Sequence, residues 1–241
     1  LRFGTSTIDK IYSYHSNISK ESENSKYYFA PPWSDRDLNN LRDDFPKPIF
    51  HIIKSDQLKG NKFLEKITGN ENNKFICLTV RDKSYLQYAY PQNSNWEYHN
   101  YRDNNIDDFI PLIKKLNQNN FHVFRMGKTA EKEISYQDKM FTDYPFLNEK
   151  SDFLDFFLAS RCEFCISTSL GFDALPVMFR KPIFYTDVVP LNTIYTGVSK
   201  SINTLSLYYS QNENRYLTIQ ELFDREIYNF FDDTLFKENN I

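Results

Sequence analysis

One stretch restricts the fold of this chain more than any other: residues 163–186, EFCISTSLGFDALPVMFRKPIFYT. The apolar run 164–166 stops at Ser167, Thr168, Ser169 and Gly171; a helical pattern follows, and Lys181-Pro182 ends it before a second β-rich run at 183–185. So compact a unit reads as strand, polar loop, helix, strand, with the strands parallel and the helix crossing one face of the sheet. The loop then sits at the carboxyl end of a strand and the amino end of a helix. Unpaired N–H groups, the helix dipole and hydroxyls there favour an anion, most often a phosphate. The same residues also fit a plainer role, in which Ser169 caps the helix and Gly171 turns the chain.

The rest of the composition narrows the function. With 241 residues, 40% of them hydrophobic, the chain can bury a core as one large domain or two small ones. A net charge of −3 leaves no broad basic field, which argues against nucleic acid as the main partner. Glycine is scarce, at 6 residues, so Gly4, Gly127 and Gly171 are expected where the backbone needs them. The three cysteines, Cys77, Cys162 and Cys165, lie in or beside apolar runs and read as buried thiols. The C-x-x-C that two of them form has no second pair or His cluster to complete a zinc site, so no metal is expected. No apolar run approaches the ~20 residues needed to span a bilayer, and no signal peptide is visible, which reads as a cytoplasmic protein. Peripheral attachment at the inner face of a membrane remains compatible with that reading.

Periodicity along the chain predicts alternating strands and helices. Residues 1–18 suit a helix behind Arg2-Phe3-Gly4, 27–30 a short strand, 35–41 a helical turn, 49–53 a strand and 58–67 a helix. A continuous apolar strand at 75–80 ends in Arg81-Asp82, and 83–103 reads as a loop long enough to be functional or disordered. A helix is expected at 106–116, a strand at 121–124 ending in Arg125-Met126-Gly127, and a short strand at 140–144 stopped by Pro145. Residues 151–161 place Phe153, Phe156, Phe157 and Leu158 on one helical face. Thr218 and Glu221 form a capping box before a helix reaching about Phe230. At least four alternations imply an α/β fold with a doubly wound parallel sheet, whose ligands bind outside the carboxyl ends of the strands. Arg81, Arg125 and the 167–171 loop all lie at such ends. Guanidinium forks match phosphate oxygens, so a phosphate or diphosphate site follows.

The runs YRDNNIDDFIPLIKKL, VFRMG, DYP and SDFLDFFLASRCEFCISTSLGFDALPVMFRKPI, in that order, resemble a bacterial family of GT-B-type glycosyltransferases from surface-polysaccharide gene clusters. The similarity covers about residues 75–187. It implies a Rossmann-like carboxyl-terminal domain, 73–241, that holds a nucleotide-sugar without metal. Residues 1–72 would then be a reduced or partial acceptor-side segment, shorter than the ~110 residues or more expected of a full second domain. By the same resemblance Arg81, Arg125, Ser167, Thr168, Ser169 and Asp173 contact the diphosphate and the ribose or sugar, and Gly127 and Gly171 are counted with them as nucleotide-sugar-binding residues. The family opens with an Arg-x-Gly-His loop; here Thr5 follows Arg2-Phe3-Gly4, so an acid/base histidine is absent at that place.

Transfer from a nucleotide-sugar donor to a carbohydrate or lipid-linked glycan acceptor needs a stabilised leaving diphosphate and a base for the acceptor hydroxyl. Asp82 and Asp103, each beside an arginine, are the candidate bases; each also suits the plainer role of arginine partner. The aromatic loop, with Trp96, Tyr98, His99, Tyr101 and Arg102, suits stacking on sugar rings or, equally, covering a small satellite core. Two further readings stay open: a nucleotide-sugar hydrolase or epimerase, and a non-catalytic partner subunit that binds nucleotide-sugar.

Overall fold

The computed structural model describes residues 46–48, 50–92, 96–195, 198 and 200–241. The elements expected at 1–18, 27–30 and 35–41, and the Arg2-Phe3-Gly4-Thr5 motif, lie outside the described residues. The frame is a parallel sheet of β1 (Phe75–Thr79), β2 (His122–Arg125), β3 (Phe141–Asp143), β4 (Cys165–Ser167), β5 (Ile183–Val188) and β6 (Ser201–Leu205), in the order β3-β2-β1-β4-β5-β6. The order reverses between β1 and β4, which pair directly, Cys77 with Cys165 and Thr79 with Ser167. Carboxyl ends of strands diverge at such a reversal and leave a crevice.

Both faces of the sheet are covered, as double winding requires. Alternate side chains of β1 go to opposite layers. Phe75 and Cys77 join Phe124, Cys165, Ile183 and Tyr185 under α1 (Lys54–Thr68) and α4 (Asp152–Arg161). Ile76 and Leu78 join Val123 and Ile166 on the other face, under the 3-10 turn Ile106–Phe109 and α3 (Ile110–Gln118). All five residues of β1 are buried, which is why that run is apolar without alternation. Cys77, Cys162 and Cys165 are buried free thiols within the first of these layers.

Several expectations need correction. No strand forms at 50–53; these residues lead into α1, which starts at Lys54 and ends on Gly69 in the left-handed conformation (φ 77°). Helix α1 puts Phe63 and Leu64 into the main core, and Gly60 lies so close to Phe157 that a Cβ would stand 2.3 Å from its ring. A boundary at 72/73 would therefore cut one continuous core. The supposed loop 83–103 holds α2 (Ser84–Ala89) and a 3-10 turn, Glu97–Arg102. On α4 the inward side chains are Leu154, Phe157 and Leu158, whereas Phe156 is 38% exposed. The helix behind the 163–186 loop is only a 3-10 turn, Gly171–Asp173, and α5 (Ala174–Met178). Strand β6 is an addition that the polar, poorly alternating run SINTL did not disclose. Beyond it, β7 (Tyr209–Ser210) and β8 (Arg215–Tyr216) form a small antiparallel pair. The Thr218/Glu221 capping box does start a helix, α6 (Ile219–Asp224), but that helix ends well before Phe230. A last helix, α7 (Asp233–Glu238), closes a third small core around Leu191, Tyr208, Leu222, Ile227 and Phe236. Among the described residues no helix is long and apolar enough to cross a membrane.

Candidate anion-binding cleft

A cleft of about 900 Å³ opens over the carboxyl edge of the sheet. Its floor is the reversal between β1 and β4, where hydrogen bonds continue past the strands. Thr168 N donates to Thr79 O at 3.1 Å, and Arg81 N donates to Thr168 Oγ1 at 2.8 Å. Thr168 thus acts as a brace that orients Arg81, and its hydroxyl is not turned to the cleft.

The 167–173 loop is held by its own polar groups. Ser167 Oγ donates to Asp173 Oδ2 at 2.8 Å and accepts from Ser169 N at 2.9 Å, while Leu170 N donates to Asp173 Oδ2 at 2.8 Å. Asp173, not Ser169, caps the following turn. Burial pushes the Asp173 carboxyl up to about 6 against the opposing effect of these donors. Ser169 adopts the left-handed region (φ 68°), a strained place for serine that persists only where several contacts define it. Its hydroxyl donates to Tyr195 Oη at 3.1 Å and its carbonyl accepts from Arg102 Nη2 at 2.9 Å. Gly171 has ordinary backbone and open space where a Cβ would point, so the turn that glycine was expected to make is made by Ser169. At Gly127 a Cβ would press on Thr129 O at 3.1 Å, which explains that glycine.

Two guanidinium groups line the cleft. Arg81 Nε lies 3.2 Å from Asp103 Oδ1. Burial and the neighbouring Arg102 push Arg81 below the usual guanidinium value, and burial, opposed by Arg81, pushes Asp103 up. Arg102, expected among the acceptor residues, is instead tied to the Ser169 carbonyl beside Arg81. Arg125 behaves differently. It is 2% exposed, sits 3.2 Å from Asp143 and 3.6 Å from Asp82, donates to Lys132 O at 2.8 Å, and does not line the cleft. The convergence of Arg81 and Arg125 on one ligand is therefore not what the structure shows. Arg125 points along the sheet toward β3 because Asp143 pairs with it in register.

The candidate bases are committed as well. Asp82 accepts from Ser84 N at 2.9 Å, from Ser84 Oγ, and from Glu131 N at 3.0 Å, so it starts α2 and anchors the 128–134 segment. Asp103 serves Arg81. Of the aromatic loop, Tyr101 stacks on Phe236 at 5.0 Å in the third core. Trp96 packs among Tyr90, Tyr98 and His99, and the two arginines add to burial in keeping His99 below its ordinary pKa. None of these four lines the cleft; Tyr85 and Tyr88 from α2 do. The opposite wall carries Tyr185 and Tyr195, stacked at 4.4 Å and 11°, together with Lys128, Asp152 and Asp155. Tyr195 gave no sequence signal, and Asp155 was hidden among ordinary helix-start charges.

Fold and cleft together define an α/β protein with a Rossmann-like sheet and a crevice at its reversal lined by both arginines and carboxylates. Comparison with family models, curated proteins and solved structures returned no match. Among the described residues no group of three or more His, Cys, Asp or Glu side chains is placed to hold a metal ion.

Proposed function

We propose that this chain binds a nucleotide-activated sugar in the cleft and transfers the sugar to a hydroxyl of a surface-polysaccharide or glycolipid acceptor, in the manner of GT-B-type glycosyltransferases. The observation that supports this best is the pair of guanidiniums at the reversal: Arg81 and Arg102 both line the cleft, partly withdrawn from water, with Asp103 paired to Arg81 and Arg102 held by the Ser169 carbonyl. Arg102 has no carboxylate within 4 Å among the described residues, and a diphosphate can meet it and Arg81 through charge-assisted hydrogen bonds. The cleft volume falls in the range of small-molecule sites, and the stacked pair Tyr185 and Tyr195 offers a flat wall for a base or sugar ring. The resemblance over residues 75–187 narrows the anion to a nucleotide-sugar. A metal-free leaving group is then stabilised by the two guanidiniums.

A thermal-shift screen of UDP-, GDP-, CMP- and ADP-sugars tests the binding. A ligand at 100 times its Kd stabilises the fold by about 2.7 kcal/mol, or roughly 5–10 °C for a chain of this size. Product analysis of the ligand that binds, with and without lipid-linked acceptor, then separates transfer from hydrolysis or epimerisation. The absence of a shift with every donor would refute the proposal; binding without turnover would leave a nucleotide-sugar-binding subunit.

A further inference from the structure

The cleft has a second wall that the diphosphate reading does not use. It is built by the first turns of α4. Because α4 runs back across the sheet into β4, its amino end lies at the carboxyl edge of the strands and its outward carboxylates meet the cleft. Four carboxylates line the cleft: Asp82, Asp152, Asp155 and Asp173. Three are occupied. Asp82 accepts from Ser84 and Glu131. Asp173 is 4% exposed and binds Ser167 and Leu170. Asp152 pairs with Lys128 at 2.5 Å. Asp155 has no ion pair within 4 Å among the described residues. Its hydrogen-bonding neighbour is the Tyr144 hydroxyl, which also engages Ser151 O at 3.1 Å and Ser151 N at 3.0 Å, and beyond it lie the more distant charges of Asp152, Lys128 and Lys150.

We propose that Asp155 is the general base of the transfer reaction and is thus a catalytic residue that touches the acceptor. This deepens the glycosyltransferase reading and rests on it. The Asp155 carboxylate takes the proton of an acceptor sugar hydroxyl; that oxygen bonds to the anomeric carbon of the donor as the bond from that carbon to the diphosphate oxygen breaks. The electron pair leaves on the nucleoside diphosphate against Arg81 and Arg102, and the proton stays on Asp155 until solvent removes it. Burial raises Asp155 above the usual carboxylate range, with Asp152 adding to the rise and Tyr144, Lys128 and Lys150 opposing it, which makes it a stronger base than an exposed aspartate. Asp155 and the two arginines line the same cleft without pairing to one another, so the donor's anomeric carbon would lie between them.

The test uses the whole chain, the nucleotide-sugars of the panel above, and water or octyl glycosides as acceptors. Asp155→Asn is expected to bind donor with unchanged Kd and to lose kcat by roughly 10²–10⁴-fold, the usual worth of a general base, together with the acidic limb of the kcat–pH profile. Asp155→Glu, which keeps the carboxylate, is expected to recover part of the rate and guards against misfolding of the first variant. Donor binding with a kcat for Asp155→Asn within threefold of the parent would overturn the assignment and leave the glycosyltransferase reading standing. Parent protein that binds donor yet neither hydrolyses nor transfers it would overturn it too, and the failure of all donors to bind would remove both readings.

Discussion

Replacing Arg125 with Ala is expected to destabilise the fold and not to empty the cleft. The guanidinium is buried between Asp143 at 3.2 Å and Asp82 at 3.6 Å and also satisfies the Lys132 carbonyl at 2.8 Å. Removing it strands two carboxylates that sit in β3 and at the start of α2. Loss of one partner of a buried pair costs about 3–5 kcal/mol. The side chains of Asp143 and Asp82 keep 16% and 13% of their exposure, so water reaches both acids and the expected loss lies near ~3 kcal/mol. In a chain of this size that lowers Tm by roughly 6–12 °C. Scanning calorimetry measures it directly. The pH dependence adds a second check. Burial holds Asp143 above its ordinary pKa, against the opposing Ile134 N–H and Arg125. Without Arg125 the carboxyl rises further, so the folded variant takes up a proton more readily than the unfolded chain as pH falls. An acid with a raised folded pKa contributes stability at low pH and loses it as pH rises through that value. The deficit of the variant against the parent should therefore be smaller at pH 5 than at pH 8. An Arg125→Ala protein melting within about 2 °C of the parent, yet binding nucleotide-sugar tenfold or more weakly, would refute the reasoning and return Arg125 to the ligand.

The remaining predictions are independent of that one. Arg81→Ala and Arg102→Ala should each weaken donor binding by about 1.5–3 kcal/mol, the worth of charged hydrogen bonds, with a smaller loss of Tm than Arg125→Ala; calorimetric affinities equal to the parent's would remove the anion site. Donor binding should survive EDTA, and a strict requirement for Mg²⁺ or Mn²⁺ would count against the GT-B-type reading. His122 is buried with Nε2 2.8 Å from Thr142 Oγ1, and burial depresses its pKa to about 4. The unfolded chain protonates it first as pH falls below ~6.5, so stability drops between that pH and about 4, by up to ~3 kcal/mol. Urea midpoints of His122→Phe should show less acid loss than the parent, and parallel curves would exclude His122 as the source. Tyr101→Ala should lower stability by about 1–2 kcal/mol through the lost packing on Phe236 while sparing transfer; unchanged stability with lost transfer would restore it to the acceptor site.

The amino-acid order alone determined the central layer. The run FICLT buries every residue, and such continuous strands occur where helices cover both faces. It also determined the loop chemistry, since Ser167, Ser169, Leu170 and Asp173 satisfy one another within seven residues. Local pattern does not say which way a strand-end side chain turns. Arg125 is the last residue of β2, in register with Leu78 and beside Asp143, which draws it inward, whereas Arg81 lies two residues past the end of β1 at the reversal of strand order. The same limit applies to the aromatic run after β1: Tyr101 and Arg102 are adjacent in sequence, but one stacks on Phe236 and the other reaches Ser169. Asp155 and Tyr195 could be found only in three dimensions, because they face the cleft from elements whose direction depends on how the chain crosses the sheet. Periodicity reports burial along one element; shared contact between elements far apart in sequence is a property of the packed fold.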